Sequence, residues 1–239
     1  MIATLPNTRN LRMAYALLVM LQQQRGGIRH SSSKGEYIYN VNGRTVPDAV
    51  LQKRLDGVVD AYRGNAERLA ERVANGNLSI PDWQARMRRE VKDLHRTQYI
   101  AGRGGVDKMT ARDWGRLGSD LRWQQYKALD GFAMDIANGK RLPDGTFRPY
   151  SQAEIRARSN LYMNASNKQY WRGKTEAKIG AGFVEKARFL NPAEHCGDCI
   201  GYAARGRVPI NDASLPPPGE DSECQANCKC QIKFYKAGD

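Results

Sequence analysis

Over most of the first 180 positions, apolar residues recur at steps of three and four, the period of helices that turn one face to a core. From Pro47-Asp48 the apolar set is Leu51, Leu55, Val58, Tyr62, Ala66, Leu69 and Val73, and Asn75-Gly76-Asn77 ends it. A second run carries Trp83, Met87, Val91 and Leu94. Ser79 can cap it, Pro81 suits its first turn, and Asp82 stands three residues after the cap. It runs out at Gly102-Arg103-Gly104-Gly105. The third, Thr110 to Ala137, holds Trp114, Leu117, Leu121, Tyr126, Leu129, Phe132 and Ile136 and stops at Asn138-Gly139. Leu142 to Pro149 reads as a loop with turn chemistry. Ser151, with Glu154 at the box position, then starts a final helix through Tyr162 and Trp171 towards Ile179.

The two ends depart from this period. Met13 to Leu21 is an apolar run flanked by Arg9, Arg12 and Arg25, too short for the roughly twenty residues a bilayer span needs. Gln22-Gln23-Gln24-Arg25 follows it where a small-residue cleavage site would stand, so it reads as a packed helix. Ser31-Ser32-Ser33 breaks the chain, and Glu36 to Val46 alternates like a strand, with the hairpin signal Asn42-Gly43 in its middle. Beyond Gly180-Ala181-Gly182, Phe183 to Leu190 and Ile232 to Tyr235 read as short strands. The expected fold is mainly α: an N-terminal helix and hairpin arm (1–46), an elongated helical body (47–182) and a small C-terminal β/loop region (183–239).

Charge adds a bias. With 38 Lys and Arg against 25 Asp and Glu, the net charge of +13 favours nucleic acid, an acidic protein surface or anionic lipid as partner. Arg86, Arg88, Arg89, Arg96 and Arg103 suggest one basic stripe, and Arg156, Arg158, Lys168, Arg172, Lys174 and Lys178 another. Such stripes bind phosphates without reading sequence; a solvated helix face is the plain alternative. No stretch is a membrane candidate, so the expectation is a soluble protein of cytosolic origin whose thiols stay reduced. Little suggests catalysis. His30 and His95 stand alone and are expected to be satisfied or solvent-facing. Gly102 to Gly105 lacks the Lys-Ser/Thr of a phosphate loop, and the four tryptophans read as core anchors.

The candidate chemistry lies in the cysteines. All five fall between Cys196 and Cys230, as Cys196-x-x-Cys199 and Cys224-x-x-x-Cys228-x-Cys230. A Cys-x-x-Cys turn presents two sulfurs to one zinc ion, and the second group supplies three candidates for the other two places. His195 is a further candidate, made awkward by its neighbour Cys196. Glycine and the run Pro216-Pro217-Pro218-Gly219 leave little between them to bury, so the segment reads as a loop closed by structural zinc. Disulfides would leave one thiol over. A redox dithiol would sit at a helix start after a strand, against which the downstream glycines and prolines argue.

The stretches NLSIPDWQARMRREVKDLHRTQYIAGRGG and WQQYKALDGFAMDIANG, followed by HCGDCIGYAARGRVPI and LPPPGEDSECQANCKC, together resemble the minor head, or head morphogenesis, proteins of tailed bacteriophages. That group includes the F protein of phage Mu. The likeness covers roughly Asn77 to Tyr235 and is specific in the tail. Cys196, Cys199, Cys228 and Cys230 match family positions. Where the commonest pattern has a histidine between the proline pair and the last cysteines, Cys224 stands nearby. The resemblance implies a non-enzymatic virion protein of the head or portal vertex, made in host cytoplasm, part of a multi-subunit assembly and bound to capsid or portal subunits, with packaged DNA as a further contact. The alternative is a zinc-knuckle regulator that binds free nucleic acid.

Overall fold

A computed structural model describes residues 27–239; the helix expected at Met13–Leu21 lies outside them. The described chain opens with a hairpin, β1 (Ile28–Ser31) antiparallel to β2 (Glu36–Tyr39), Ile28 opposite Tyr39. The serine break is therefore the turn of that hairpin. Asn42-Gly43 makes a second turn, in which the Gly43 N–H donates to Tyr39 O and Thr45 bridges back to Ile38. One expected strand is two short passes because the asparagine-glycine turn sits in its middle.

Helices α1 (Asp48–Ala74) and α2 (Ile80–Arg103) follow the expected boundaries. Ser79 caps α2, its hydroxyl accepting from the Asp82 N–H at 3.2 Å. Helix α3 (Ala111–Asp120) starts on a capping box, Thr110 with Asp113, and runs through a π-helical stretch, Leu121–Tyr126, into α4 (Lys127–Asn138). The wider turn shifts the phase of the helix. Leu121 and Leu129 are buried on either side of it, while Trp123 is 71% exposed and Trp114 36% exposed. Those two tryptophans are not core anchors, whereas Trp83 and Trp171 are. Lys140-Arg141 (β3) and Phe147-Arg148 (β4) pair across the expected loop. The final helix is two: α5 (Gln152–Asn164), with the Ser151–Glu154 box, and α6 (Asn167–Gly180). The chain breaks at Ala165-Ser166, where Ser166 is buried and no glycine or proline announces it.

The helices α2 and α6 pack most extensively on one another. They touch backbone to backbone: a Cβ on Gly102 would lie 2.1 Å from Tyr170 O, and one on Gly173 2.4 Å from Tyr99 O. Around α2, Trp83, Met87, Val91 and Leu94 pack with Tyr62, Leu69, Leu117, Leu129 and Phe132 in the main core. A second cluster joins Ile28 and Tyr37 of the hairpin, Leu51 and Leu55 of α1, Tyr170 and Trp171 of α6, and Ile232 of the tail. All three parts of the chain therefore share buried surface.

In the tail, β5 (Phe183–Phe189) pairs antiparallel with β7 (Gln231–Lys236) on one side and with the two-residue β6 (Val208-Pro209) on the other. Between β5 and β6 lies a short helix, α7 (Gly197–Ala204), in place of the expected loop. The fold is mainly α with a small C-terminal region that holds the cysteine cluster. No helix among the described residues is long and apolar enough to cross a membrane.

Candidate metal centre

The cysteines are delivered by separate short elements. Cys196 occupies the N-cap of α7 and Cys199 lies in its first turn, fully buried. The Cys-x-x-Cys pair thus does stand at a helix start after a strand, which the glycine and proline count argued against. The prolines lie beyond α7 and do not interrupt it. Cys224 precedes a 3-10 turn, Gln225–Asn227, and Cys228 follows it. Cys230 comes immediately before β7, which hydrogen bonds to β5 fix in register with Arg188 opposite Ile232.

All five predicted ligands come together. The sulfurs form two trios, Cys196 with Cys199 and Cys224, and Cys199 with Cys228 and Cys230, each within 4.8 Å of one another. Cys199 belongs to both. Its Sγ is 3.5 Å from that of Cys224 and 3.6 Å from that of Cys228. Four sulfurs at about 2.3 Å from a zinc ion stand about 3.8 Å apart along the edges of their tetrahedron. The spacing around Cys199 is close to that edge, and thiols are the donors soft metals prefer. The cluster can hold a metal ion.

Without metal the thiols share protons. The Cys228 thiol is held down at about 4, chiefly by hydrogen bonding from Cys230 and against the effect of burial. Cys230 is pushed up as the donor of that bond, and Cys199 is pushed up by burial. The thiolate at Cys228 faces a cation that sequence reasoning missed. Arg188, 4% exposed, points Nη1 at Cys228 Sγ across 3.8 Å, donates from Nη2 to Pro216 O at 2.5 Å, and lies over the Tyr202 ring. Its signal is the strand period: Arg188 alternates with Ala187 and Phe189 and falls on the inward face beside the cysteines. His195 flanks the other side. Nε2 lies 2.6 Å from Asn191 O, so that nitrogen carries the proton, and Nδ1 lies 3.6 Å from Cys230 Sγ. His195 is in neither thiol trio; it touches Cys230 from outside.

The basic stripes are largely spent inside the protein. Arg88 pairs with Asp130 at 2.5 Å, Arg103 with Asp113 at 3.1 Å, and Arg96 lies over Trp114. In the second stripe Lys168, Lys174 and Lys178 are buried. Lys174 pairs with Asp48, Lys178 with Glu36, and Arg172 with both Asp120 and Glu220. Arg89 of the first stripe and Arg156 and Arg158 of the second remain exposed, and Arg86 is half-buried. The isolated histidines are neither solvent-facing nor fully satisfied. Both ring nitrogens of His30 and Nδ1 of His95 are buried without a hydrogen-bond partner among the described residues, while His95 Nε2 lies 3.2 Å from Tyr162 O.

No family model matches the chain, and no curated protein or solved structure is similar to it.

Proposed function

We propose that this chain is a structural protein of a tailed-phage head or portal vertex, in which a zinc ion held by the cysteine cluster locks the C-terminal tail onto a helical body. Its work is to bind neighbouring capsid or portal subunits during head morphogenesis, with DNA contact through its excess positive charge as a secondary role.

The observation that carries the reading is the thiol cluster hinged on Cys199. Cys199 is buried and meets four other thiols, with Arg188 set against Cys228. A redox or nucleophilic cysteine needs an accessible thiolate, and the most depressed thiol here, Cys228, is itself buried. A structural zinc site suits the surroundings because it is closed by four protein ligands. The resemblance of the tail motif to head morphogenesis proteins supplies the biological setting, which is an argument by analogy. Inward pairing of most stripe cations favours protein subunits over DNA as the main partner.

The test has two arms. Metal analysis and thiol counting on the purified chain should give zinc, with ligand thiols protected from alkylation until the metal is chelated. Co-expression with head and portal subunits should place the chain in sedimenting particles. Binding of free duplex with a steep salt dependence, and no association with particles, would favour the regulator instead.

A further inference from the structure

Where the tail meets the helical body a cavity of about 180 Å³ opens between α1, the α5–α6 break and the segment 226–231. Its lining is rich in carboxamides: Gln52, Gln98, Asn164, Asn167, Asn227 and Gln231. Some are already engaged. Asn164 Nδ2 donates to Asn227 Oδ1 at 3.0 Å, while Arg63 donates to Asn164 Oδ1 at 2.7 Å. Others stand open. Gln98 is 2% exposed, yet its Oε1 accepts no hydrogen bond from the described residues. The side chains of Asn167 and Gln231 have no hydrogen-bond partner among the described residues. Asn167 and Gln231 are half-buried, whereas Gln98 holds a buried acceptor left without a partner, which is costly, and polar groups at a roomy site are the ones a ligand satisfies.

The chemistry narrows the ligand. Each carboxamide offers a donor and an acceptor, the same pair that a peptide group presents. Among the described residues no aromatic ring lines the cavity, so a nucleobase would find no stacking surface there. Of the charged side chains, two are turned to neighbours, Asp56 accepting from Gln52 at 3.1 Å and Arg63 pairing with Asp60 at 2.5 Å, and the exposed Lys229 stands at the rim. Gln231 begins β7, an edge strand of its sheet, and edge strands accept added chains through their main chain.

We propose that this cavity grips the main chain of an extended polypeptide segment contributed by a partner subunit. The proposal deepens the head-protein reading and rests on it only for the partner's identity. One wall of the cavity is the segment that carries Cys228 and Cys230, so a metal held by those cysteines would keep the grip in shape.

The test is a nuclear magnetic resonance titration of the zinc-loaded full chain with a blocked alanine-serine pentapeptide, and in parallel with cytidine and with glucose. The expected result is a saturable shift of the Gln98, Asn167 and Gln231 side-chain amides with the peptide alone. Gln98→Leu and Asn167→Ala should each weaken binding at least fivefold while zinc content stays at the wild-type level. No shift with the peptide, or an equal shift with cytidine or glucose, overturns the proposal. Zinc content and particle association are read separately: a zinc-bearing particle protein that ignores the peptide sinks the grip alone, and a peptide binder absent from particles sinks the head assignment alone.

Discussion

Arg188 sets a guanidinium nitrogen 3.8 Å from the Sγ of Cys228, and both side chains are buried. Four thiolates around a divalent ion leave two negative charges, and an arginine fixed against one sulfur offsets part of that excess while shutting out water. Replacing it by methionine keeps an apolar stem of similar reach and removes the charge. Arg188→Met should weaken metal retention by about tenfold to a hundredfold, the usual effect of losing an outer partner of a metal ligand. Competition with a chromophoric chelator measures this, and an affinity equal to wild type would show that the guanidinium only packs.

Removing the metal should separate the tail from the body. Beyond Phe189 the chain has few buried apolar residues besides the cysteines, namely Ile210, Leu215, Pro216, Pro218 and Ile232. The helical core stands on its own contacts around α2. Chelation should therefore open α7 and the 224–230 segment to hydrogen exchange and thiol alkylation, with little loss of helical signal by circular dichroism. Among single replacements Cys199→Ser should cost most metal affinity, because that sulfur alone stands in both trios. Cys196→Ser and Cys224→Ser, at half-buried positions, should cost less. Equal losses at all five positions would contradict the hinge role of Cys199.

Local signals explain what the sequence could and could not reveal. Helices α1 and α2 were legible because their apolar period is regular and their ends carry capping chemistry, as at Ser79. The cysteines were legible because their spacing is itself the geometry of a metal turn. The break between α5 and α6 was not, since Asn164, Ser166 and Asn167 give only a local capping signal inside a continuing apolar pattern, with no glycine or proline to mark a stop. The π-helical phase shift at Leu121 was equally silent, so Trp123 passed for a core residue. Arg188, Lys174 and Lys178 look like surface charge in one dimension. Their role appears only when a thiol or a carboxylate from a distant segment arrives beside them.

The glycine pair between α2 and α6 invites a direct test. An alanine at Gly102 would put its Cβ 2.1 Å from the Tyr170 carbonyl, and backbone cannot yield as a side-chain tip can. Overpacking of this kind costs about 1–3 kcal/mol or more, and in a chain of this size each 1 kcal/mol lowers the melting midpoint by roughly 2–4 °C. Gly57, within α1 with open space around it, is the matched control. Gly57→Ala should raise stability by about 0.5–1 kcal/mol through helix propensity. Midpoints from calorimetry should move in opposite directions for the two variants.

Acid should destabilise the body before its ion-paired carboxylates, Asp113 and Asp130, titrate. His95, buried in α2, is held neutral by burial, its affinity for a proton depressed to about 3; His30 is depressed to about 4 by burial and then by Lys108. The unfolded chain protonates both near 6.5. Between that value and about 4 the unfolded state thus binds more protons than the native state, and stability rises with pH. It is fully present above pH 6.5 and lost as pH falls below it, by up to about 1.4 kcal/mol per pH unit for a fully buried histidine such as His95. Asp113 and Asp130, whose carboxyls are held below the ordinary range, add their loss only at lower pH. Urea midpoints measured on metal-free protein at pH 7, 6 and 5 separate this effect from metal release. His95→Gln can still donate towards Tyr162 O from its amide, so it should be less stable at pH 7 and show a shallower decline towards pH 5. An identical decline in wild type and variant would place the acid sensitivity elsewhere.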